Sequence, residues 1–363
     1  MPGERARRSR SLSKGRYRPL VRALLRDPLP AHILGRARRQ SGDKVLPRPG
    51  VVAHYKLFLY TGFPPNKPLL PMNHILSNSQ LSIAIDDYGA EPLSVRRGDC
   101  EYLWQAEHPD FWQSHAPILF PICGRLFEGK YRYRGTEYEM RLHGFTRTQT
   151  FVYEGGTALE ARFSLSSTEE LKKQYPFDFR LEMAYRLDGD TLHVEATVRN
   201  LDVQTMPFAY GAHPGFNVPL GGAGAYTDYE LVFGEACSPD RLLFSEACLD
   251  TGIRAPFPLK DGRSIPLDHH LFDNDAIFLA RMADSVTLRS DKTARFVRLR
   301  YPDMSYLGLW HNPQTNAAFV CIEPWDGLPA YDGVQDDLET TKSDMFHLQP
   351  GASKTFRYSI TFG

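Results

Sequence analysis

At 363 residues, with 42% apolar, 12% aromatic and 24% charged side chains, the chain has apolar volume for a sizeable core, which excludes a wholly disordered protein and leaves one or two domains open. Its five cysteines, Cys100, Cys123, Cys237, Cys248 and Cys321, have neither the density of a disulfide framework nor CxxC spacing, so a reduced, cytoplasmic setting fits best. A net charge of zero conceals a split: residues 1–71 hold 16 lysines and arginines against three acids, the remainder 27 against 40.

That first segment also carries 10 of the 27 prolines and little periodic apolar pattern, so it cannot bury enough surface to offset its ordering entropy. It reads as a basic, mostly disordered extension: a mitochondrial transit peptide, a nucleic-acid-binding arm, or non-native residues upstream of a start at Met72. Residues 51–63 are too short and too interrupted an apolar stretch to span a bilayer, and no membrane partner is expected.

From Ser77 onward the signal is period two, which places alternate side chains on opposite faces of a strand. Leu81, Ile83 and Ile85 alternate, and residues 159–165 form a strand candidate. The spacing predicts one short helix over 168–175, capped by Thr168 and ended by Pro176. Phe179, Leu181, Met183, Tyr185 and Leu187, then Leu192, Val194, Ala196 and Val198, flank Asp188-Gly189-Asp190 as a hairpin. Residues 221–224 read as a flexible loop without a phosphate-binding fingerprint. Further strands are predicted over 229–233, 285–289, 296–301, 306–310, 319–323 and 356–362. No βαβ alternation exists, so about a dozen antiparallel strands must bury their faces against each other, giving an all-β sandwich over residues 72–363.

Three polar clusters interrupt apolar, aromatic-rich surroundings: Phe120-Pro121-Ile122-Cys123-Gly124-Arg125 with His143-Gly144-Phe145-Thr146-Arg147; Tyr210-Gly211-Ala212-His213-Pro214-Gly215-Phe216-Asn217; and Ile322-Glu323-Pro324-Trp325-Asp326-Gly327. His213 and Glu323 each precede a proline, which biases them to extended backbone and predicts that both project from strand ends or their loops. Alternation puts Phe319, Cys321 and Glu323 on one face. The bland alternatives are a satisfied core histidine and a solvated glutamate.

With Glu101-Tyr102-Leu103-Trp104, these segments, in this order, resemble the aldose 1-epimerase family, especially its LacX-like branch, over nearly all of 72–363 and none of 1–71. The resemblance implies a galactose mutarotase-like antiparallel β-supersandwich with little helix and a sugar groove across one sheet. It implies an isomerase with no cofactor and no metal. His213 would protonate the ring oxygen and Glu323 would take the proton from the C1 hydroxyl. Arg125 and His143 would hold sugar hydroxyls, with Arg147 nearby, and Asp275 resembles an acid that contacts hydroxyls. Pro121-Ile122-Cys123-Gly124 stands where galactose mutarotases have an asparagine-rich stretch, a departure that bears on whether galactose is the sugar.

The residue types suit the chemistry independently. Interconverting anomers needs one acid and one base, and positioned proton transfer contributes roughly 10²–10⁴-fold. Trp104, Trp112, Phe216, Trp310 and Trp325 could stack on sugar faces, although core packing is their ordinary role. The expected partner is a monosaccharide or a sugar phosphate, which Arg125 and Arg147 can grip bidentately. No nucleic acid is expected for the main domain, and the oligomeric state is left open. A glycosidase needs two opposed carboxylates, and only Asp275 matches Glu323 in context. A zinc hydrolase built on His143, His213 and Glu323 would lack any close ligand pair such as HExxH. A non-catalytic carbohydrate-binding protein would not need an acid and a base together.

Overall fold

The structure, a computed structural model, describes residues 73–340 and 344–363; the extension expected over 1–71 and its boundary at Met72 lie outside the described residues. Period two becomes strand wherever it was expected. Phe179–Asp188 and Thr191–Asn200 pair in full register, with Phe179, Leu181, Met183, Tyr185 and Leu187 buried on one face. Gly189, at φ 57°, supplies the left-handed turn residue that the two-residue loop requires.

This hairpin lies within a nine-stranded sheet that runs in space from Ser264–Pro266 through Tyr229–Phe233, Ser285–Ser290, Phe296–Arg300, Ser353–Phe362 and the hairpin to Glu160–Ser166 and Val152–Gly156. An eight-stranded sheet orders Asp250–Pro256, Asp240–Phe244, Ile277–Ala280, Tyr306–Trp310, Phe319–Asp326, Tyr210–Ala212 and Ile118–Leu119, and Gly215–Asn217 also pairs with Phe319–Asp326. The two share one core: Tyr210 of the second sheet stacks on Phe356 of the first at 5.0 Å, and Val320 and Ile322 are buried with Leu181 and Leu299. Stacked sheets of this kind hide the apolar face of each.

Four features depart from expectation. The strand expected to end at Glu323 continues to Asp326, because proline removes only one donor and the register to Tyr306–Trp310 continues across it (Gly308 with Glu323, Tyr306 with Trp325). Glu323 therefore lies within a strand rather than at its end. The helix expected over 168–175 is only Glu169–Lys172, capped by the Thr168 hydroxyl accepting from Leu171 N at 3.2 Å; a tighter turn, Gln174 N to Leu171 O at 3.1 Å, then directs Tyr175 into the core. Asp336–Asp337 pairs parallel with Lys130–Tyr133, whereas the other paired strands among the described residues are antiparallel. The glycines at 221 and 222 sit in a 3₁₀ turn rather than an open loop. Among the described residues no helix is long and apolar enough to cross a membrane.

Candidate functional site

Strand Phe319–Asp326 is buried on both faces. Val320 and Ile322 enter the common core, while Phe319, Cys321, Glu323 and Trp325 take the opposite face, as alternation dictates. Gly308, across from Glu323, leaves room there: a Cβ would lie 2.9 Å from the Phe278 ring and 3.2 Å from the Glu323 Cβ.

The neighbouring strand is broken at His213-Pro214. Gly211 pairs with Trp325 and Gly215 with Cys321, so the register midway sets His213 directly opposite Glu323. The His213 N–H donates to Pro117 O at 3.0 Å, and Ile322 N–H donates to Pro214 O at 3.1 Å, which holds the broken segment against the long strand. His213 Nε2 then lies 3.3 Å from Glu323 Oε2. Trp112 stacks on the imidazole at 4.8 Å and 29°. Its place depends on Gly215, where a Cβ would come within 2.7 Å of the Trp112 ring.

The glycine–arginine and histidine–glycine motifs form a reciprocal clasp. His143 N–H donates to Gly124 O at 2.7 Å, and Gly124 N–H donates to His143 Nδ1 at 3.0 Å. A backbone N–H can only donate, so Nδ1 is the acceptor and the ring proton sits on Nε2. Burial, joined by the positive fields of Arg147, His213 and Arg125, holds His143 well below its ordinary pKa, which keeps this neutral tautomer. Gly144, at φ 74°, is packed so closely on the Phe120 carbonyl that no side chain fits. The Thr146 hydroxyl donates to Ile118 O at 2.7 Å, and Arg147 is steadied by donation to Leu142 O at 3.2 Å.

Asp275, at φ 73°, accepts from Trp310 Nε1 at 2.8 Å, from Ala276 N at 3.0 Å and from the Cys248 thiol at 2.9 Å. Burial and the adjacent carboxylate push the Cys248 thiol up to about 12, so it remains a donor. A carboxylate has about four acceptor sites, and these three bonds leave one of them unused.

All six residues expected from the sequence, Arg125, His143, Arg147, His213, Asp275 and Glu323, line one cavity, with Trp112, Trp310 and Trp325 among its walls. Trp104 and Phe216 are core instead. Sequence reasoning missed Cys248, whose turn carries no motif, and Glu91, whose carboxylate accepts from His115 N at 2.7 Å and Ala116 N at 2.9 Å and so holds the loop that bears Trp112. The wall combines guanidinium and imidazole donors, one carboxylate acceptor and flat aromatic faces, around two side-by-side titratable groups. Burial raises Glu323 well above its ordinary pKa, helped by Asp275. Burial also lowers His213 to about 3, with Arg147 adding to it. Among the described residues, His213, Cys321 and Glu323 also bring three ligand-type atoms within 4.8 Å of one another.

The profile of the aldose 1-epimerase family matches residues 72–361. Protein LacX of Lactococcus lactis subsp. lactis is 38% identical over 263 residues, 70% of this chain and 87% of that protein. Among solved structures, a galactose mutarotase related enzyme from Lactobacillus acidophilus is 34% identical, with a TM-score of 0.76 over 80% of this chain and 97% of its own. A galactose mutarotase-like protein from Lactobacillus casei is 31% identical, with a TM-score of 0.74 over 80% of this chain and all of its own. The fold is therefore the galactose mutarotase-like sandwich that the motifs implied.

Proposed function

This chain belongs to the aldose 1-epimerase family, and from that membership we propose that it is a mutarotase, interconverting the α and β anomers of a monosaccharide by proton transfer through His213 and Glu323. The observation that carries the reading is the 3.3 Å approach of His213 Nε2 to Glu323 Oε2 on the wall of the cavity. Ring opening moves a proton off O1 and another onto the ring oxygen, as the bond from C1 to the ring oxygen breaks and C1=O1 forms. Both oxygens are bonded to C1, so acid and base must stand side by side. Rotation about C1–C2 and reclosure on the other face, with the protons returned, complete the cycle.

The pair carries one shared proton. With that proton on His213, the imidazole protonates the ring oxygen while Glu323 accepts from O1; the open-chain aldehyde then faces a neutral carboxyl and a neutral imidazole. That distribution is the one burial favours, because a low-dielectric site penalises separated charges. Arg125, Arg147 and the His143 Nε2–H would donate to sugar hydroxyls and Asp275 would accept from one. Trp112 and Trp310 would pack on the ring face.

A phosphorylated hexose is favoured as a second reading by one feature: among the described residues neither Arg125 nor Arg147 has a carboxylate within ion-pair distance, and both line the cavity. NMR saturation transfer between the α and β anomers of glucose, galactose and glucose 6-phosphate tests both readings. Catalysed exchange of at least one sugar is expected. Binding of a sugar without exchange would leave a carbohydrate-binding protein, and neither binding nor exchange of any would overturn the proposal.

A further inference from the structure

Cys321 is a fully buried thiol that anomer exchange does not use and that has no hydrogen-bond partner among the described residues. It lies two residues from Glu323 on the same face of one strand, and across from Gly215 on the segment that carries His213. We propose that His213, Cys321 and Glu323 form a binding site for a thiophilic divalent cation of the zinc or cadmium class, and that its occupancy blocks the acid–base pair. The inhibitory part rests on the proposed function; the binding part does not.

The geometry suits such an ion. Nitrogen, sulfur and oxygen ligand atoms lie within 4.8 Å of one another. Ligands at roughly 2.0–2.1 Å in a tetrahedral shell stand roughly 3.3 Å apart, and His213 Nε2 and Glu323 Oε2 are 3.3 Å apart already. Cys321 and Glu323 lie on one strand, and His213 lies in the break between the two short strands that pair with it, so the fold already gathers the three side chains. An imidazole, a thiolate and a carboxylate together prefer zinc-class ions over magnesium or calcium. His213 and Glu323 line the cavity, so an ion would be reached from that side, and a water or a sugar hydroxyl there would complete the shell.

Binding displaces the thiol proton and the proton shared by the pair, two in all, to solvent; no electron moves. The ion then occupies the imidazole lone pair and the carboxylate oxygen that proton transfer requires. Among the described residues His213 Nδ1 is buried without a hydrogen-bond partner, whereas a metal-bound histidine ordinarily donates from its second nitrogen to an acceptor. The missing acceptor fits a reversible inhibitory ion rather than a resident cofactor.

Titration of the full chain with cadmium, and separately with cobalt(II), tests the site. A thiolate-to-metal charge-transfer band saturating at one equivalent is expected, with tetrahedral d–d bands for cobalt and reversal by EDTA. Cys321→Ala should weaken binding by more than the roughly 10–100-fold cost of losing an outer-shell partner, and should retain anomer exchange while losing cadmium inhibition. Cys321→Ser serves the same purpose if the alanine variant does not fold. Cys248→Ser should leave the band unchanged. Absence of the band from the wild-type chain, its persistence in a folded Cys321 variant, or inhibition without it would overturn the site. A band in a chain that exchanges no anomers would support the site while overturning the mutarotase reading.

Discussion

Glu323 and His213 are two largely buried ionisable groups on the wall of the cavity, and their behaviour should be readable in both rate and stability. Glu323→Gln keeps the size and one carbonyl acceptor but cannot take the O1 proton, so kcat should fall at least about 100-fold while the Kd for sugar changes little. His213→Asn should behave alike, and the double variant should be little worse than the poorer single one, since the two serve one cycle. Circular dichroism, sugar affinity and anomer exchange on the same preparations check this. If Glu323 merely satisfied the core, its replacement would lower stability without a selective loss of kcat. The same residues set a pH signature. Because the folded pKa of Glu323 is raised above 4.5, its contribution is whole below about that pH and is lost as pH rises through the raised value. Glu323→Gln should therefore gain stability relative to wild type as pH increases, by at most about 1.4 kcal/mol per pH unit. His213, lowered from 6.5 to about 3, has the opposite sign: its contribution is whole above 6.5 and is lost as pH falls toward 3. His213→Asn should flatten the acid limb of the urea-unfolding stability profile.

At the level of elements, the site is a register. The pairs Gly211 with Trp325 and Gly215 with Cys321 bracket His213 and Glu323, and the break at His213-Pro214 falls where the two side chains face each other. Gly215→Ala would put a methyl 2.7 Å from the Trp112 ring and 3.3 Å from the Cys321 sulfur. The strand should survive while Trp112 leaves its stack on His213, giving a loss of kcat of about 10–100-fold with a nearly unchanged circular dichroism spectrum. Gly144→Ala should act differently. Its left-handed φ and its contact with the Phe120 carbonyl leave no relaxation, so about 3 kcal/mol or more of stability should be lost in denaturant unfolding. The motifs around Gly124 and His143 were visible as strings of residues. Their reciprocal backbone-to-ring clasp was not, because a positive φ and a tautomer appear only when the two loops meet.

For the molecule as a whole, the family match begins at residue 72, and the segment before it holds 16 lysines and arginines against three acids, with 10 prolines. A chain beginning at Met72 should keep anomer exchange and unfold within about 2 °C of the full chain; a collapse of either in a side-by-side thermal and saturation-transfer comparison would assign residues 1–71 to the fold. What the sequence determined by itself was local or compositional. Strand periodicity is carried by neighbours two residues apart, so the Phe179–Asp188 hairpin and the faces of Phe319, Cys321 and Glu323 could be read directly. The ordered motifs pointed to the family and to six residues that the cavity brings together. The end of the Glu323 strand, the length of the Thr168 helix, and the placing of Cys248 on Asp275 and of Trp112 on His213 were decided only in three dimensions. Those outcomes depend on pairings between segments far apart in the chain, and sliding a strand by one residue would turn every side chain to the other face. No local pattern distinguishes one such register from the next; the packed core of two sheets does.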